Sequence, residues 1–317
     1  MTDDALSSTL KLIDARAAYA GGLVAGGTWA IRFPPPRVVK FFTIGRGSCR
    51  FAVDGAEPIH LEAGDVVLLA AQAGFVIGSA VPCDPVDAVA LYADQGTEMV
   101  SAGGGDEVLF LGCHLDLDDT GRRLFLNNLP PFVHLSAGEA GTGQLQWLIR
   151  ELVDEVIANR TGAGMARTNL AQLMFLQIMR RFLGREGDVP AGWIRAACDP
   201  RLASVLRLMH GDPARNWTLP ELARHAGMSR TAFATCFRSV SGVPPMAYLA
   251  QWRLRQAERR LRDRSESVAS IARSVGYESV AAFSTAFKRL FGYPPRHAPG
   301  NATANADLPL EQPGIGV

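Results

Sequence analysis

The sequence predicts a multidomain α+β protein: a small N-terminal β-barrel, a helical hairpin, and an all-α C-terminal domain with two helix-turn-helix units. Three observations lead to this prediction. Short runs of β-branched and aromatic residues fill residues 28–136, and two amphipathic stretches follow them. Residues 199–298 then repeat a pattern at an interval of about 50 residues. A chain of 317 residues is long enough for two domains.

The first domain is predicted over residues 1–138. Its apolar runs are separated by turn signals such as Asp54-Gly55 and Ala63-Gly-Asp65, with no helical pattern between them. Many short strands in this arrangement are typical of an antiparallel barrel or sandwich, and we favour a barrel. The predicted strands cover residues 29–33, 38–44, 48–53, 66–69, 75–77, 88–92 and 108–115.

A helical hairpin is predicted within residues 139–187. Apolar residues recur at helical spacing over 144–159 and 166–185, and Thr161-Gly-Ala-Gly164 joins the two stretches. A stripe of methionines, Met165 just before the second stretch and Met174 and Met179 within it, is interpreted as packing rather than as a cofactor site. Residues 188–198 are the predicted linker, and residues 299–317 a disordered tail.

The domain over residues 199–298 contains the repeat. Leu222-Ala-Arg-His-Ala-Gly227 matches Ile271-Ala-Arg-Ser-Val-Gly276, and the residues that follow match at an offset of 50. Each copy predicts a short helix ended by its glycine, an N-cap at Ser229 or at Glu278 or Ser279, and a second helix. The phenylalanines four apart in each second helix are expected in the core; they are Phe233, Phe237, Phe283 and Phe287. A helix over residues 246–263 connects the copies.

The net charge of +1 hides two opposite halves. Residues 1–198 carry 16 basic and 22 acidic side chains, which gives −6, whereas residues 199–300 carry 16 and 7, which gives +9. A basic domain of this kind predicts a polyanionic partner such as nucleic acid or an anionic membrane surface. Arginines on or near the connecting helix are expected to contact phosphate; they are Arg253, Arg255, Arg259, Arg260 and Arg262.

The sequence predicts a cytoplasmic protein with no membrane segment. No apolar run approaches the length of a membrane span, and the start of the chain lacks the positive region of a signal peptide. The five cysteines form no CxxC pair, as expected of reduced thiols.

The C-terminal motifs resemble the AraC/XylS family of bacterial transcriptional regulators. The resemblance spans residues 199–297 and includes Glu221-Leu-Ala-x-x-Ala-Gly-Met-Ser, Trp252-Arg-Leu-x-x-Ala and Phe283-x-x-x-Phe-Lys-Arg-x-Phe-Gly-Tyr-x-Pro. It implies that the two second helices bind successive major grooves of double-stranded DNA. The predicted DNA-binding residues are Ser229, Arg230, Thr231, Ala234, Thr235, Arg238, Ser279, Val280, Ala281, Ser284, Thr285, Lys288 and Arg289.

Several of these exposed positions carry small residues, whereas related regulators often have Gln, Arg or Trp there. Small side chains cannot form bidentate bonds with guanine or adenine. Specificity is therefore expected to depend on thymine methyl contacts, on Arg230, on water and on DNA shape.

The acidic half resembles the cupin-type N-terminal domain of one AraC subfamily. The residues that carry this resemblance include Phe33-Pro-Pro-Pro36, Leu61-Glu-Ala-Gly-Asp-Val-Val-Leu-Leu69 and Leu129-Pro-Pro131. It implies a barrel that binds a small-molecule effector or has lost that task, with the hairpin as a dimerisation element. The candidate effector pocket comprises Phe42, Phe75, Cys113 and His134.

No HxH pair is present, so neither a metal site nor a cofactor is predicted. Cys113, His114 and His134 are the residual candidates for a metal or thiol sensor, but neighbouring residues on a strand point to opposite faces. We predict a homodimeric, non-enzymatic DNA-binding regulator controlled by an effector, with RNA polymerase as a further candidate partner. The alternative is a metal- or thiol-sensing cupin, or a cupin enzyme, that is tethered to DNA.

Overall fold

The computed structural model describes residues 4–36, 38–70, 73–81, 83–96, 98–117, 129–139, 141–185 and 191–298. The chain forms two compact units. The described residues of 15–189 form the strand-rich unit, and those of 1–14 and 190–317 together form the helical unit. The predicted tail, residues 299–317, lies outside the described residues.

Two sheets make up the strand-rich unit. A six-stranded sheet has the order β11-β6-β3-β10-β1-β9, and a five-stranded sheet has the order β5-β4-β7-β2-β8. The strands are β1 (Arg16–Gly26), β2 (Ala30–Phe33), β3 (Val39–Arg46), β4 (Ser48–Val53), β5 (Ile59–Glu62), β6 (Val66–Leu69), β7 (Phe75–Gly78), β8 (Val86–Asp87), β9 (Met99–Gly103), β10 (Val108–Asp116) and β11 (Phe132–Leu135).

The predicted closed barrel is wrong, because the two sheets stack as a sandwich. Phe42 of the six-stranded sheet packs against Phe51 and Phe75 of the five-stranded sheet, with ring centroids 5.2 and 5.9 Å apart. The strand pattern in the sequence indicates which side chains face inward. It does not indicate whether the edge strands of one sheet pair with each other, and that pairing is what closes a barrel.

A second difference concerns residues 88–92, which were predicted as a strand and form part of helix α2 (Ala88–Gln95). The side chain of Asp87 accepts a hydrogen bond of 2.9 Å from the backbone N–H of Ala90, which caps the helix. Gly96 ends it in the left-handed conformation, with φ of 60°. The alternating side chains of this run indicate a strand, but the two caps stabilise a helix instead.

The predicted hairpin is present as α3 (Gly143–Ala158) and α4 (Ala163–Gly184). Met174 and Met179 of α4 are buried, as predicted for packing residues. Met165 is 76% exposed, so its interpretation as a packing residue is wrong. Met165 lies in the first turn of α4.

The helical unit contains two helix-turn-helix pairs and a long connecting helix. Among the described residues, every helix of the chain is too short or too polar to cross a membrane. The helices of this unit are α1 (Ala5–Leu12), α5 (Trp193–Cys198), α6 (Ala203–Gly211), α7 (Leu219–His225), α8 (Arg230–Ser241), α9 (Pro245–Arg262), α10 (Val268–Ser274) and α11 (Val280–Phe291), followed by the 3₁₀ turn Pro295–His297.

The first helix of the chain belongs to this C-terminal unit. Helix α1 contacts α5, α6 and α9, and its buried residues include Leu6 and Leu10. The predicted sensor domain, residues 1–138, therefore differs from the structure at its start. The predicted linker, residues 188–198, differs as well, because α5 occupies its second half and packs against α8.

Candidate nucleic-acid interface

The two helix-turn-helix units have the same local geometry. In the first, Gly227 separates α7 from α8 with φ of 66°, and in the second, Gly276 separates α10 from α11 with φ of 86°. Glycine adopts this left-handed conformation without steric cost, so each unit can turn sharply. Both second helices also end at a glycine with positive φ, Gly242 and Gly292.

A serine begins each second helix. The Oγ atom of Ser229 accepts a hydrogen bond of 3.2 Å from the N–H of Ala232, and Ser279 accepts one of 3.3 Å from Ala282. The N-cap of α11 is therefore Ser279 rather than Glu278. Both serine hydroxyls act as acceptors here, so each can still donate its own hydrogen to a phosphate oxygen.

The phenylalanine pairs anchor these helices. Phe233, Phe237, Phe283 and Phe287 are fully buried, which confirms their interpretation as core residues. The centroids of Phe233 and Phe237 are 5.6 Å apart, and those of Phe283 and Phe287 are 5.5 Å apart. Because each pair fixes one face of its helix in the core, the opposite face is held outward at a defined angle.

That outward face contains the predicted DNA-binding residues. Eleven of the thirteen are exposed, and Ala234 and Ser284 are half-buried. Val280 is 42% exposed. The structure therefore places these residues on the solvent side of α8 and α11, where a major groove could receive them.

Three cations on these helices have no protein partner. Arg230, Arg238 and Lys288 form neither an ion pair nor a side-chain hydrogen bond with any other described residue. An exposed cation that is not neutralised within the protein is free to attract phosphate. These three side chains therefore contribute to the positive potential of the outward face.

The arginines of the connecting helix form bonds within the protein, and their contact with phosphate stays a prediction. Arg260 pairs with Glu266, and their hydrogen bonds lower the pKa of that carboxyl group. Arg262 donates a bond of 2.6 Å to the buried carboxylate of Glu258. Arg255 lies 5.0 Å from the ring centroid of Trp193.

The two remaining connector arginines donate to backbone carbonyl groups. Arg253 bonds to Pro213 and Arg215, and Arg259 bonds to Lys11. The arginines of α9 thus hold the helical unit together, whereas Arg230 and Arg238 on α8 bond to no other described residue.

Comparisons with known proteins agree with this architecture. A family model described as a cupin matches residues 4–184, and one described as a helix-turn-helix domain matches residues 222–298. An AraC-like transcription regulator of Streptomyces lividans is 38% identical over 293 residues, which cover 92% of this chain and 96% of the relative. The chain belongs to the AraC family of transcriptional regulators.

Other similar proteins are more distant. The regulator AlkR of Acinetobacter baylyi is 30% identical over 281 residues, or 86% of this chain and 90% of AlkR. The DNA-binding domain of AdpA, solved in complex with a target DNA, is 33% identical over 31% of this chain and 86% of that chain, with a TM-score of 0.29. Both names denote proteins with a role in transcription.

The interior of the sandwich in this AraC-family protein is filled by aromatic rings. Phe33 stacks on Phe75 with centroids 4.7 Å apart and nearly parallel planes, and Phe42 lies 4.8 Å from Phe110. Phe42 and Phe75, two of the four predicted pocket residues, are thus part of a packed core. Both face the interior of the sandwich, and their contact with an effector stays a prediction.

Cys113 does not share this interior, so the four predicted pocket residues do not line one cavity. It pairs in register with Phe41, whereas the neighbouring Gly112 pairs with Phe42. Side chains of paired residues lie on the same face of a sheet. Cys113 therefore lies on the outer face, where the ring of Phe41 packs against Phe175 of α4.

His134 is held by Asp65, a buried carboxylate at the end of the sandwich. The imidazole Nε2 atom lies 2.9 Å from one oxygen of Asp65, and the other oxygen accepts a 2.9 Å bond from the N–H of Ala137. This arrangement joins the start of β6 to the segment after β11. It accounts for His134 as a structural partner of Asp65.

The alternative of a metal or thiol sensor gains no support from these residues. No group of three His, Cys, Asp or Glu side chains within the described ranges could hold a metal ion. Burial raises the pKa of the Cys113 thiol, and it raises the pKa of Cys49 to about 12. A thiol that stays protonated is a poor nucleophile.

Two functional features were missed by sequence reasoning. The first is the packing of α1 in the helical unit. Its partners lie far away in the sequence, and nothing in its eight residues indicates which segment they contact. The second is the pair of hydrogen bonds from Arg253 to backbone carbonyl groups. The sequence does not indicate them, because an arginine on this helix is equally suited to contact phosphate. The polar side chains of residues 212–217 were the one sequence signal that this loop is held by hydrogen bonds.

Proposed function

We propose that this chain binds double-stranded DNA sequence-specifically, with α8 and α11 in two major grooves of one duplex. The observation that carries this proposal is the pair of equivalent helices whose inner faces are fixed by phenylalanines and whose outer faces carry unpaired cations. Membership of the AraC family supports the same conclusion.

The connecting helix has a suitable length for this arrangement. Helix α9 contains 18 residues, which corresponds to about 27 Å at 1.5 Å per residue. Successive major grooves on one side of B-DNA are about 34 Å apart. Helices held at the two ends of α9 are therefore separated on the scale of one helical turn of DNA.

Base recognition would combine few hydrogen bonds with apolar contact. Arg230 is the first residue of α8, and an arginine there can donate two bonds to guanine. Ala234, Val280 and Ala281 can only offer apolar contact, for which the thymine methyl group is the natural partner. The remaining specificity would come from DNA shape.

The strand-rich unit would provide regulation. A small-molecule effector changes DNA affinity only if it binds two states of the protein with different affinities. An effector bound within the sandwich would contact aromatic rings such as Phe42 and Phe75. We do not propose an enzymatic reaction or a cofactor, and a regulator of this kind would act in the cytoplasm, where RNA polymerase is a further partner.

The helical hairpin would form a homodimer. Trp147 and Ile157 on α3 are 52% and 68% exposed, and Met165 and Leu173 on α4 are 76% and 48% exposed. Exposed apolar side chains at helical spacing suit a second copy of the same hairpin. Sedimentation of the parent chain and of Trp147→Asp would test this, and a parent that sediments as a monomer would refute it.

Selection from a random-sequence duplex pool, followed by binding measurements between 50 and 200 mM salt, tests the main proposal. If 6 to 10 phosphates are contacted, affinity should fall about a thousandfold or more over this range. Arg238→Ala should weaken binding and reduce the salt dependence. Arg50→Ala, which removes an exposed arginine from β4, should do neither. Salt-insensitive binding would contradict the proposal.

A further inference from the structure

The loop of residues 212–217, between α6 and α7, contacts both helix-turn-helix units; we call it the brace loop. It precedes the first unit in sequence, and its middle residue, Ala214, lies against the turn of the second unit. The brace loop thus forms a link between the two units in addition to α9.

Side-chain contacts fix the brace loop to the first unit. The Nε1 atom of Trp217 donates a bond of 2.8 Å to the carbonyl of Asp212, which closes the loop on itself. The guanidinium of Arg215 lies 4.2 Å from the centroid of the Trp217 ring and pairs at 2.5 Å with Glu221 of α7. The loop therefore moves with α7.

Arg253 of α9 fixes the same loop from the other side. Its Nε atom donates a bond of 2.6 Å to the carbonyl of Pro213, and its Nη2 atom donates one of 2.8 Å to the carbonyl of Arg215. A planar guanidinium can hold two acceptors in a fixed geometry, which a flexible ammonium group cannot do. Arg253 is half-buried, so water competes weakly for these carbonyls.

The turn of the second unit meets the loop between those two carbonyls. A Cβ atom on Gly276 would lie 2.7 Å from the carbonyl oxygen of Ala214 and 2.9 Å from its Cα atom. Real Cβ atoms do not approach other atoms this closely. The two backbones therefore pack directly on each other, and they do so only because residue 276 has no side chain.

The brace loop matters because the two units are built on different parts of α9. Tyr248, near its start, contacts Phe237 of the first unit, whereas Leu254, Ala257 and Leu261 pack in the core of the second unit. With α9 as the only link, bending of this helix would change the angle between α8 and α11. The brace loop opposes that bending.

We propose that the brace loop, clamped by Arg253, fixes the spacing between the two base sets that a single chain reads. Arg253 acts as a positioning residue in this proposal, which rests on the proposed DNA binding by α8 and α11. One inserted base pair moves the second base set by about 3.4 Å and rotates it by about 35°. A rigid pair of helices cannot follow this change, whereas a hinged pair can.

Spacer variants of a selected duplex test the proposal. The full-length parent should lose about 100-fold in affinity when one base pair is inserted between the two base sets, because only one helix then engages. Arg253→Ala should bind the original duplex less tightly, and the insertion should cost it only about tenfold. An insertion penalty equal to that of the parent, in a folded Arg253→Ala protein, would overturn the proposal.

Two further variants serve as controls. Arg207→Ala removes an exposed arginine of α6, and therefore the same charge as Arg253→Ala, but it should keep the full insertion penalty. Arg253→Lys keeps the charge but lacks the planar guanidinium, so its insertion penalty should be intermediate. If Arg253→Ala does not fold, the penalty of Arg253→Lys tests the proposal instead. A parent that selects no duplex would refute the proposed function, whereas a selective parent with equal penalties would refute only the brace.

Discussion

Arg259 of α9 donates a hydrogen bond to the backbone carbonyl of Lys11, which lies 248 positions earlier in the chain. Lys11 is in the last turn of α1, whose residues Leu6 and Leu10 are buried. The first and last parts of the sequence therefore share one folded unit. The strand-rich unit is inserted between them, so the chain passes between the two units twice.

We expect Leu10→Ala to destabilise the helical unit although it lies in the segment that precedes β1. Removal of a buried leucine side chain costs about 2–5 kcal/mol, and the lower half of this range suits Leu10, which is 9% exposed. Hydrogen exchange of the full-length protein, followed by mass spectrometry, should show faster exchange in α5, α6 and α9.

Leu152→Ala is the matched control, because Leu152 is buried in α3 of the strand-rich unit. It should increase exchange in the strand-rich unit and leave the helical unit unchanged. If Leu10→Ala instead affected only the strand-rich unit, the assignment of α1 would be wrong.

The equivalent glycines of the two turns should respond differently to alanine. Both have positive φ, which costs an alanine about 1–2 kcal/mol. Nothing lies within 4 Å of a Cβ atom on Gly227, whereas one on Gly276 would clash with the backbone of Ala214. Gly276→Ala should therefore lower the urea midpoint further than Gly227→Ala, and equal midpoints would contradict the close packing of the brace loop.

The helix-turn-helix units could be predicted from sequence because their signals are local. A glycine, a serine N-cap and two phenylalanines within about 15 residues define each unit, and the repeat shows them twice. The choice of Phe42 as a pocket residue rested instead on the resemblance to cupin domains. Closure of the barrel, the packing of α1 and the partners of Arg253 depend on contacts between distant segments, which composition and periodicity do not encode.

The strand predicted over residues 88–92 shows that local sequence signals can conflict with one another. Alternation of Val89, Leu91 and small residues favours a strand, but Asp87 and Gly96 cap a helix over the same residues. The arrangement of the candidate pocket residues could not be predicted for a related reason. Cys113 and Phe42 lie on opposite faces of the sheet because of the register between β3 and β10, which the sequence does not indicate.

The stability of the helical unit should depend on pH through His210. Its Nε2 atom lies 3.0 Å from the hydroxyl of Tyr248, and its ring stacks 3.5 Å from that of Trp252. Burial lowers the pKa of His210 to about 3. The unfolded chain, with an ordinary pKa near 6.5, therefore binds a proton that the folded state excludes, and stability is lost as pH falls below about 6.5.

Between pH 7 and pH 5 this loss should amount to about 2 kcal/mol. Urea denaturation at both values, followed by tryptophan fluorescence, measures it. His210→Phe should be less stable at pH 7 and should lose most of the pH dependence. His225→Gln, a change at an exposed histidine of the same unit, should retain it, and a pH dependence that survives in His210→Phe would refute the assignment.

The division of the arginines into free and internally bonded groups leads to a prediction for base preference. Arg230 begins α8, is exposed and bonds to no other described residue, and the first residues of a recognition helix contact base edges. Arg230→Ala should therefore relax the preference at one or two base positions, with a loss of about 1–3 kcal/mol of discrimination. Binding to every single-base variant of the selected duplex measures this loss.

Arg238→Ala provides the comparison, because Arg238 lies in the last turn of α8, away from the end that enters the groove. A phosphate contact there would weaken all duplexes alike and reduce the salt slope by about 1. Arg260→Ala should change neither property directly, since its guanidinium is bonded to Glu266. If Arg230→Ala weakened every duplex equally, Arg230 would be a phosphate contact and the orientation of α8 in the groove would have to be reversed.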